Sequence, residues 1–338
     1  MACTTLHTRI QNFVSWIRPD PDKAEEARAQ RDEVRDRIRG RAESDGLIVR
    51  STPGSGSFAT ATGLRRHMRD GAEHEGQDID CPFVLSRKDE DGDVLGELLR
   101  RFERYARASY PGTPIVPTKS SVRLEFVATK RNIDLVPMLA VDGNDQEQIL
   151  LRAGGERRRT SIQKHVEFVK TRTTKSQQLR GPVAFNDVVR LLKWWREYQV
   201  TRTGRIEEVP SFLILLLCAK AFDEDSVRPT WPETLQNWFD RIQSYASRRA
   251  NVTFGEFATP RPEKIMHPWK VIDPLNGENN AVPSSWGNIQ IDELCSWARA
   301  ARDKVQQAIA HDLCGRTTDA VANMSDVFGP TFKSHSEA

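Results

Sequence analysis

Asp78 and Asp80 stand one residue apart in Gly76-Gln-Asp-Ile-Asp-Cys-Pro-Phe-Val-Leu85. In an extended strand, residues i and i+2 project from the same face, so both carboxylates would point at one spot while Ile79 points to the other side. Such a spot favours a divalent cation, although an acidic pair is also common on a solvated strand. Two further features give the pair direction. Upstream, Ser51-Thr-Pro-Gly-Ser-Gly-Ser-Phe58 joins a strand-like Leu47-Ile-Val49 to a helix. Glycine permits close backbone approach, and successive amides at a helix start favour anions, so Gly56 and Ser57 can cradle a phosphate. The same composition also suits a surface linker, but this one lies only 21 residues before the acidic pair, counting from Ser57 to Asp78. Downstream, Ser121-Val-Arg-Leu-Glu-Phe-Val127 alternates with the period of a half-buried strand, and Ile133-Asp-Leu-Val-Pro-Met-Leu139 is apolar except for Asp134.

An aspartate between Ile133 and Leu135 is costly in a buried strand unless something pairs with it, and a metal would do so. A hairpin turning through Ala128-Thr-Lys-Arg-Asn132 brings Asp134 onto a strand that can lie beside the one carrying Asp78 and Asp80. Carboxylates converging within ~4 Å repel by roughly 4 kcal/mol per pair at an effective dielectric near 20. Bound cations remove that penalty.

A Gly-Ser turn, an Asp-x-Asp and a later lone Asp resemble the signature of the polymerase beta-like nucleotidyltransferases. Within them, Gly56-Ser-Phe-Ala-Thr-Ala-Thr-Gly63, Asp78-Ile-Asp80 and Ile133-Asp-Leu-Val-Pro137 are most similar to the cGAS/DncV-like nucleotidyltransferases of bacterial anti-phage signalling. The resemblance runs in order over roughly residues 50 to 285. Arg190-Leu-Leu-Lys-Trp-Trp-Arg196 is similar to the helix bearing the family's triphosphate-gripping lysine, which implies Lys193. Pro210-Ser-Phe-Leu-Ile-Leu-Leu-Leu217 is similar to the next helix, whose first turn lines the nucleotide cleft and implies Ser211 and Phe212. Asp273-Pro-Leu-Asn-Gly-Glu-Asn-Asn280 resembles the family's late loop. From helical periodicity alone Lys193 would be a surface residue, since it lies off the apolar stripe of Val188, Leu191, Leu192 and Trp195; only the resemblance turns it toward a cleft.

The resemblance implies an α+β fold, with a nucleotidyltransferase core of mixed sheet and helices, a helical C-terminal lobe and a cleft between them. It implies two Mg²⁺ or Mn²⁺ ions, one held by Asp78, Asp80 and Asp134 and one by Asp78 and Asp80 alone. It implies NTP substrates, ATP and GTP, joined into a cyclic dinucleotide such as cyclic GMP-AMP, or a trinucleotide, with release of pyrophosphate. Linear oligoadenylate synthesis, or nucleotide transfer to RNA, protein or a small molecule, keeps the same chemistry with another product. A non-catalytic binding module would have little use for all three carboxylates. Regulatory or effector proteins of a defence operon are the partners the resemblance implies. The chain departs from the family in two places. Ala61-Thr62 stands where a Gly-Thr is common, and Arg65 to Glu75 lengthens the interval before Asp78, giving an expected mobile loop.

Composition sets outer limits. With 338 residues the chain is long enough for two domains. Its 50 basic residues are nearly matched by 47 acidic ones, so nucleic acid is not a required partner. Five cysteines with no C-x-x-C or Cys/His spacing argue against a disulfide framework and structural zinc, and for a reducing, cytoplasmic compartment. No duplex-DNA activator is expected, because Arg152 to Arg159 is the sole basic segment and Glu156 interrupts it. The apolar run Phe212 to Ala219 is far shorter than the ~20 residues of a membrane span.

The elements that position these residues read as follows. A charged helix from Pro21 to Arg39 ends at Gly40, and 1–45 forms an N-terminal helical spine. A nucleotidyltransferase core occupies 46–160, including a helix from Val94 to Ala108. A helical lobe occupies 161–330, with Trp194 and Trp195 in its core, and 331–338 is a disordered tail.

Overall fold

The computed structural model describes residues 4–69, 72–75, 77–86, 94–151, 157–179, 181–203, 206 and 208–337. The chain divides into two compact units. One, here the sheet unit, comprises Pro19–Arg66 and Glu75–Phe168; the other, the helical unit, comprises Met1–Arg18, His67–His74 and Val169–Ala338.

In chain order the elements are α1 (Thr5–Ile17), α2 (Pro21–Ser44), β1 (Val49–Ser51), α3 (Gly56–Ala59), β2 (Arg66–Arg69), β3 (Ala72–Glu75), β4 (Gln77–Leu85), α4 (Val94–Ser109), β5 (Ile115–Pro117), β6 (Val122–Phe126), β7 (Arg131–Val141), β8 (Asn144–Leu151) and β9 (Arg157–Thr160). They continue with α5 (Ile162–Gln178), α6 (Phe185–Thr203), α7 (Ser211–Asp225), α8 (Trp231–Ser247), β10 (Ile272–Asp273), β11 (Asn276–Asn280), α9 (Asn288–Leu313), α10 (Thr317–Phe328) and α11 (Pro330–His335).

In the sheet unit, strands run in the order β1-β4-β7-β6-β5, with β8 and β9 continuing from the far end of β7. β4 and β7 are parallel, and β6 runs antiparallel to β7, so the sheet is mixed. Alternation decides which face is core. Ile79, Cys81, Phe83 and Leu85 of β4, with Ile133, Leu135 and Leu139 of β7 and Val122 and Leu124 of β6, pack against Val34, Ile38 and Ala42 of α2 and Phe102 and Tyr105 of α4. Residues of the other parity, Asp78, Asp80, Arg123, Asn132 and Asp134 among them, therefore share the opposite face.

The helical unit is held by aromatic packing. Phe13 of α1 meets Trp194 of α6 edge to face at 5.7 Å and Phe332 of α11 at 5.2 Å between ring centroids. Trp194 and Trp195 are fully buried, as their place in the sequence predicts.

The expected boundaries differ from the observed ones in four places. Helix α2 runs through Gly40 to Ser44, because Ala42 is buried in the sheet-unit core and the stop signal lies later. Gly46 at φ +82° ends the helix, with its N–H donating to the Glu43 carbonyl and the Leu47 N–H donating to the Ala42 carbonyl. The N-terminal spine, in which only the helix from Pro21 was read, holds α1 as well. Arg18 closes α1, and Asp20 caps α2 by accepting from the Asp22 N–H at 3.0 Å, with Pro21 in the first turn. The expected loop from Arg65 to Glu75 contains β2 and β3, which pair with one another; the Asp70-Gly71 pair between them is a hairpin signal in the sequence. The tail read as disordered forms α11, because Phe332 is fully buried against α1 and α10.

Candidate functional site

Strand register builds the acidic cluster. In the parallel pairing of β4 with β7, Asp80 lies opposite Asp134 and Asp78 opposite Asn132. In the antiparallel pairing of β6 with β7, Arg123 lies opposite Asp134. These residues thus meet on the polar face of the sheet by backbone geometry alone. Asn132 donates from Nδ2 to Asp78 Oδ1 at 2.9 Å. Arg123 grips Asp134 with both arms, Nε donating to Oδ1 at 3.1 Å and Nη2 to Oδ2 at 2.8 Å, while the Ser121 hydroxyl donates to Oδ1 at 3.3 Å. The bond to Asp134 raises the Arg123 guanidinium above its ordinary pKa despite partial burial.

The Gly-Ser turn lies against this cluster. Gly56 has φ +65°, and a Cβ placed on it would stand 1.9 Å from Asp80 Oδ2. Both the left-handed backbone and the close approach require glycine at this position. Phe58 of the same turn lies beneath Arg28 and Arg31 of α2, whose guanidinium carbons are 5.5 and 5.6 Å from the ring centroid. These contacts hold α3, and with it the half-buried Ser57, in place beside β4. Ala61, where the resembled family commonly has glycine, also takes a positive φ of 53°, so the backbone keeps the glycine conformation with an alanine in it.

Aspartate oxygens from two neighbouring strands are the hard donor set that Mg²⁺ or Mn²⁺ prefers, and three residues of this type share one face. Asp80 and Asp134 are register partners, whereas Asp78 is turned to Asn132. Among the described residues, no group of three or more acidic, His or Cys side chains stands close enough to hold an ion jointly. The isolated aspartate that sequence reasoning paired with a metal is paired here with Arg123. The donor chemistry fits a divalent cation, with Arg123 sharing Asp134.

The basic row belongs to the helical unit. Lys193 is buried, with 7% of its surface exposed, and does not face solvent as its periodicity predicts. The reason is that α6 is buried on more than its apolar stripe: Asp187, Arg190 and Lys193 are buried along with Val188, Leu191, Leu192, Trp194 and Trp195. Burial, reinforced by the neighbouring Arg196 and Arg190 charges, lowers the Lys193 ammonium to about 8. Arg190 and Arg18 share the buried Asp187 carboxylate, Arg18 Nε donating to Oδ1 at 3.0 Å. Ser211 is exposed at the first turn of α7, and its Oγ accepts from Arg196 Nη1 at 2.8 Å. Phe212 is half-buried, and the helix turns Leu213 and Ile214 into the core instead.

The late loop is a hairpin of β10 and β11. Asp273 Oδ2 accepts from Asn279 Nδ2 at 3.0 Å, and a Cβ on Gly277 would stand 1.9 Å from the Thr259 carbonyl oxygen. Of the basic segment, Arg157, Arg158 and Arg159 lie in β9, and residues 152–156 lie outside the described residues. No helix among the described residues is long and apolar enough to cross a membrane.

Sequence reasoning missed Arg123, Asn132 and Arg196. The alternation of β6 places Arg123 on the polar face, but its partner depends on a hairpin register that residue order does not fix. Arg196 follows Lys193 at i+3, a spacing that puts both on one helix face.

Residues 5–172 match the model of the Second Messenger Oligonucleotide or Dinucleotide Synthetase domain. A cyclic AMP-AMP-AMP synthase of Escherichia coli (strain MS 115-1) is 26% identical over 316 residues, covering 92% of each chain. The solved CdnC:HORMA-deltaN complex of E. coli MS115-1 is similar with a TM-score of 0.77 and 25% identity, over 96% of this chain and 97% of that one. The Vibrio cholerae DncV cyclic AMP-GMP synthase in complex with nonhydrolyzable GTP shares the fold, with a TM-score of 0.67 and 14% identity over 97% of this chain and 95% of that one.

Proposed function

The chain belongs to the cGAS/DncV-like nucleotidyltransferases, a family of cyclic oligonucleotide synthases with a polymerase beta-like fold, and from that premise we propose that it uses ATP to make a cyclic trinucleotide with release of pyrophosphate. A ribose hydroxyl of an acceptor nucleotide attacks the α-phosphate of a donor. The new P–O bond forms as the bond to the β-phosphate breaks, and pyrophosphate leaves with its electron pair. Asp78, Asp80 and Asp134 would hold Mg²⁺ or Mn²⁺, which would supply activation of the hydroxyl and neutralisation of the departing pyrophosphate. Arg123 orients Asp134 through its two hydrogen bonds. Gly56 and Ser57 bring backbone close to the Asp80 carboxylate and would present that turn to a phosphate. Lys193 carries the charge that faces the triphosphate, Ser211 donates its hydroxyl to it, and Phe212 offers a ring face to a base.

The observation that carries this reading is the register of β4 and β7, which sets Asp80 beside Asp134, together with a Gly56 that can be nothing larger beside Asp80. The adenine choice and the trinucleotide length rest on the E. coli relative of that name. A HORMA-type partner, suggested by the complex in which a similar chain was solved, is the proposed regulator, in place of duplex DNA. The test incubates the purified chain with all four NTPs and Mg²⁺ or Mn²⁺, and identifies products by mass. A cyclic product built from AMP is expected. Linear oligoadenylates alone, or nucleotide transferred to an added RNA, would overturn the cyclase reading.

A further inference from the structure

Arg196 lies three residues after Lys193 on α6, with its side chain 13% exposed. Its Nη1 donates to two acceptors, the Val209 carbonyl at 2.9 Å and Ser211 Oγ at 2.8 Å, and its Nη2 donates to Glu197 Oε1 at 2.6 Å. Its Nε is buried without a hydrogen-bond partner. The guanidinium is thus locked between its own helix and the residues that open α7, and the lock leaves one N–H unmet to reach an exposed serine.

That contact fixes what Ser211 can do. A serine hydroxyl carries one proton and two acceptor lone pairs, while an arginine can only donate. With a charged donor occupying one lone pair, the Ser211 proton is directed away from Arg196 and its O–H is polarised into a stronger donor. The first turn of α7 has no side-chain cap, because Pro210 occupies that position. An anion with several oxygens matches this arrangement.

We infer that Arg196 is a positioning residue for nucleotide binding: it holds Ser211 so that the hydroxyl donates to the triphosphate of the incoming NTP. The inference rests on the reading of Ser211 as a triphosphate contact. A lysine cannot replace it, since one ammonium on a flexible stem does not reproduce a planar fork that spans a carbonyl, a hydroxyl and a carboxylate.

The test measures equilibrium binding of a nonhydrolysable ATP analogue with Mg²⁺ to the full chain, alongside melting temperatures and steady-state kinetics. Ser211→Ala and Arg196→Lys should each weaken binding by about tenfold, the size of one hydrogen bond to a charged group. The double variant should lose no more than either single one, because both substitutions remove the same contact. KM should rise with kcat nearly unchanged, a split that a general loss of fold would not give. Arg196→Lys binding like the wild type would overturn the inference while leaving Ser211 in place. Losses that multiply in the double variant would also overturn it, since Arg196 would then act on its own. If Ser211→Ala binds like the wild type, the assignment of Ser211 itself is overturned, a separate result.

Discussion

In the sheet unit, two acids of the polar face meet a side chain delivered by a neighbouring strand, Asn132 for Asp78 and Arg123 for Asp134, and Asp80 lies against the Gly56 backbone of α3. In the helical unit, Lys193 is buried between arginines one turn before and after it on the same helix, and its ammonium is pushed down to about 8. The difference follows from the two kinds of backbone. A sheet sets residues from separate stretches of chain side by side, so opposite charges can be matched across strands. A helix stacks its own i±3 and i±4 neighbours, so a run of basic residues crowds like charge together. Asp134 is thus paired with an opposite charge from the next strand, whereas Lys193 stands between two like charges that are themselves paired with Asp187 and Glu197.

The most severe break of the comparison is to remove a carboxylate. Asp80→Asn should lower cyclic product formation by roughly a thousandfold, the range for losing a group that positions charge at the reacting centre. Its melting temperature without metal should hold, since the change removes a negative charge beside Asp134. Asp134→Asn should lose comparable activity but also cost about 1 to 3 kcal/mol of stability, because it takes from Arg123 the carboxylate it grips. Chemical denaturation of both variants checks the contrast. Equal stability would show that the Arg123 pair compensates nothing.

Gly56→Ala should come next. The added Cβ meets Asp80 Oδ2 at 1.9 Å on a backbone with φ +65°, so either the turn or the carboxylate must move. A loss of about 1 to 3 kcal/mol in stability is expected from the strained backbone, with activity falling roughly a hundredfold, since a displacement near 1 Å at a reacting centre costs about that much. Wild-type activity in this variant would detach the Gly-Ser turn from the acidic cluster.

How far the sequence carries differs between the two units for the same physical reason. Strand alternation placed Asp78 and Asp80 on one face, and the hairpin through Lys130, which brings Asp134 onto a neighbouring strand, was readable from one alternating run and one apolar run broken only by Asp134. The Arg123 pairing was not, because a one-residue slip in that hairpin would send its side chain to the core. On α6, periodicity put Trp194 and Trp195 inside correctly and Lys193 outside incorrectly. A stripe of apolar residues marks the side that must be buried, but says nothing of a second side covered by other parts of the fold. The end of α2 was misread at Gly40, where the next turn still had Ala42 to bury, and falls instead at Gly46, which takes a positive φ. The C-terminal helix was missed because short polar stretches give no periodicity, although Phe332 anchors it.

Lys193 sharpens the comparison through pH. Lys193→Ala should weaken binding of the ATP analogue by roughly 10- to 100-fold, the loss of a charge-assisted contact. In the free chain the ammonium titrates near 8. A bound triphosphate raises that value, so binding takes up a proton once the pH exceeds it. Affinity should be at its full value below pH 8 and fall by up to about tenfold per pH unit above it, a slope that disappears in Lys193→Ala. Lys193→Met should raise the melting temperature at pH 7, since it replaces a buried charge held beside like charges with an apolar side chain of similar length. A variant that loses both affinity and stability would mean that the lysine serves the fold.

Phe212→Ala should have the smallest effect, and the comparison says where to look for it. The ring is half-buried at the start of α7, while Leu213 and Ile214 carry that end of the helix into the core. Truncation should therefore change stability by less than about 1 kcal/mol, below the ~3 to 5 kcal/mol of a buried phenylalanine. If the ring stacks on the base of a bound nucleotide, affinity for the ATP analogue should fall by about 1 kcal/mol, the lower end for an aromatic contact with a single base. The loss should be similar for adenine and guanine analogues, because every base presents a π-face and stacking does not read the exchangeable edge. It should also be independent of pH across the range in which Lys193 titrates, since neither partner gains or loses charge. Measuring both quantities at two pH values separates the roles. An affinity loss that is flat in pH, with stability retained, places Phe212 on the base. A stability loss with affinity unchanged returns it to the packing of α7, leaving the nucleotide's base to be held by residues outside the basic row.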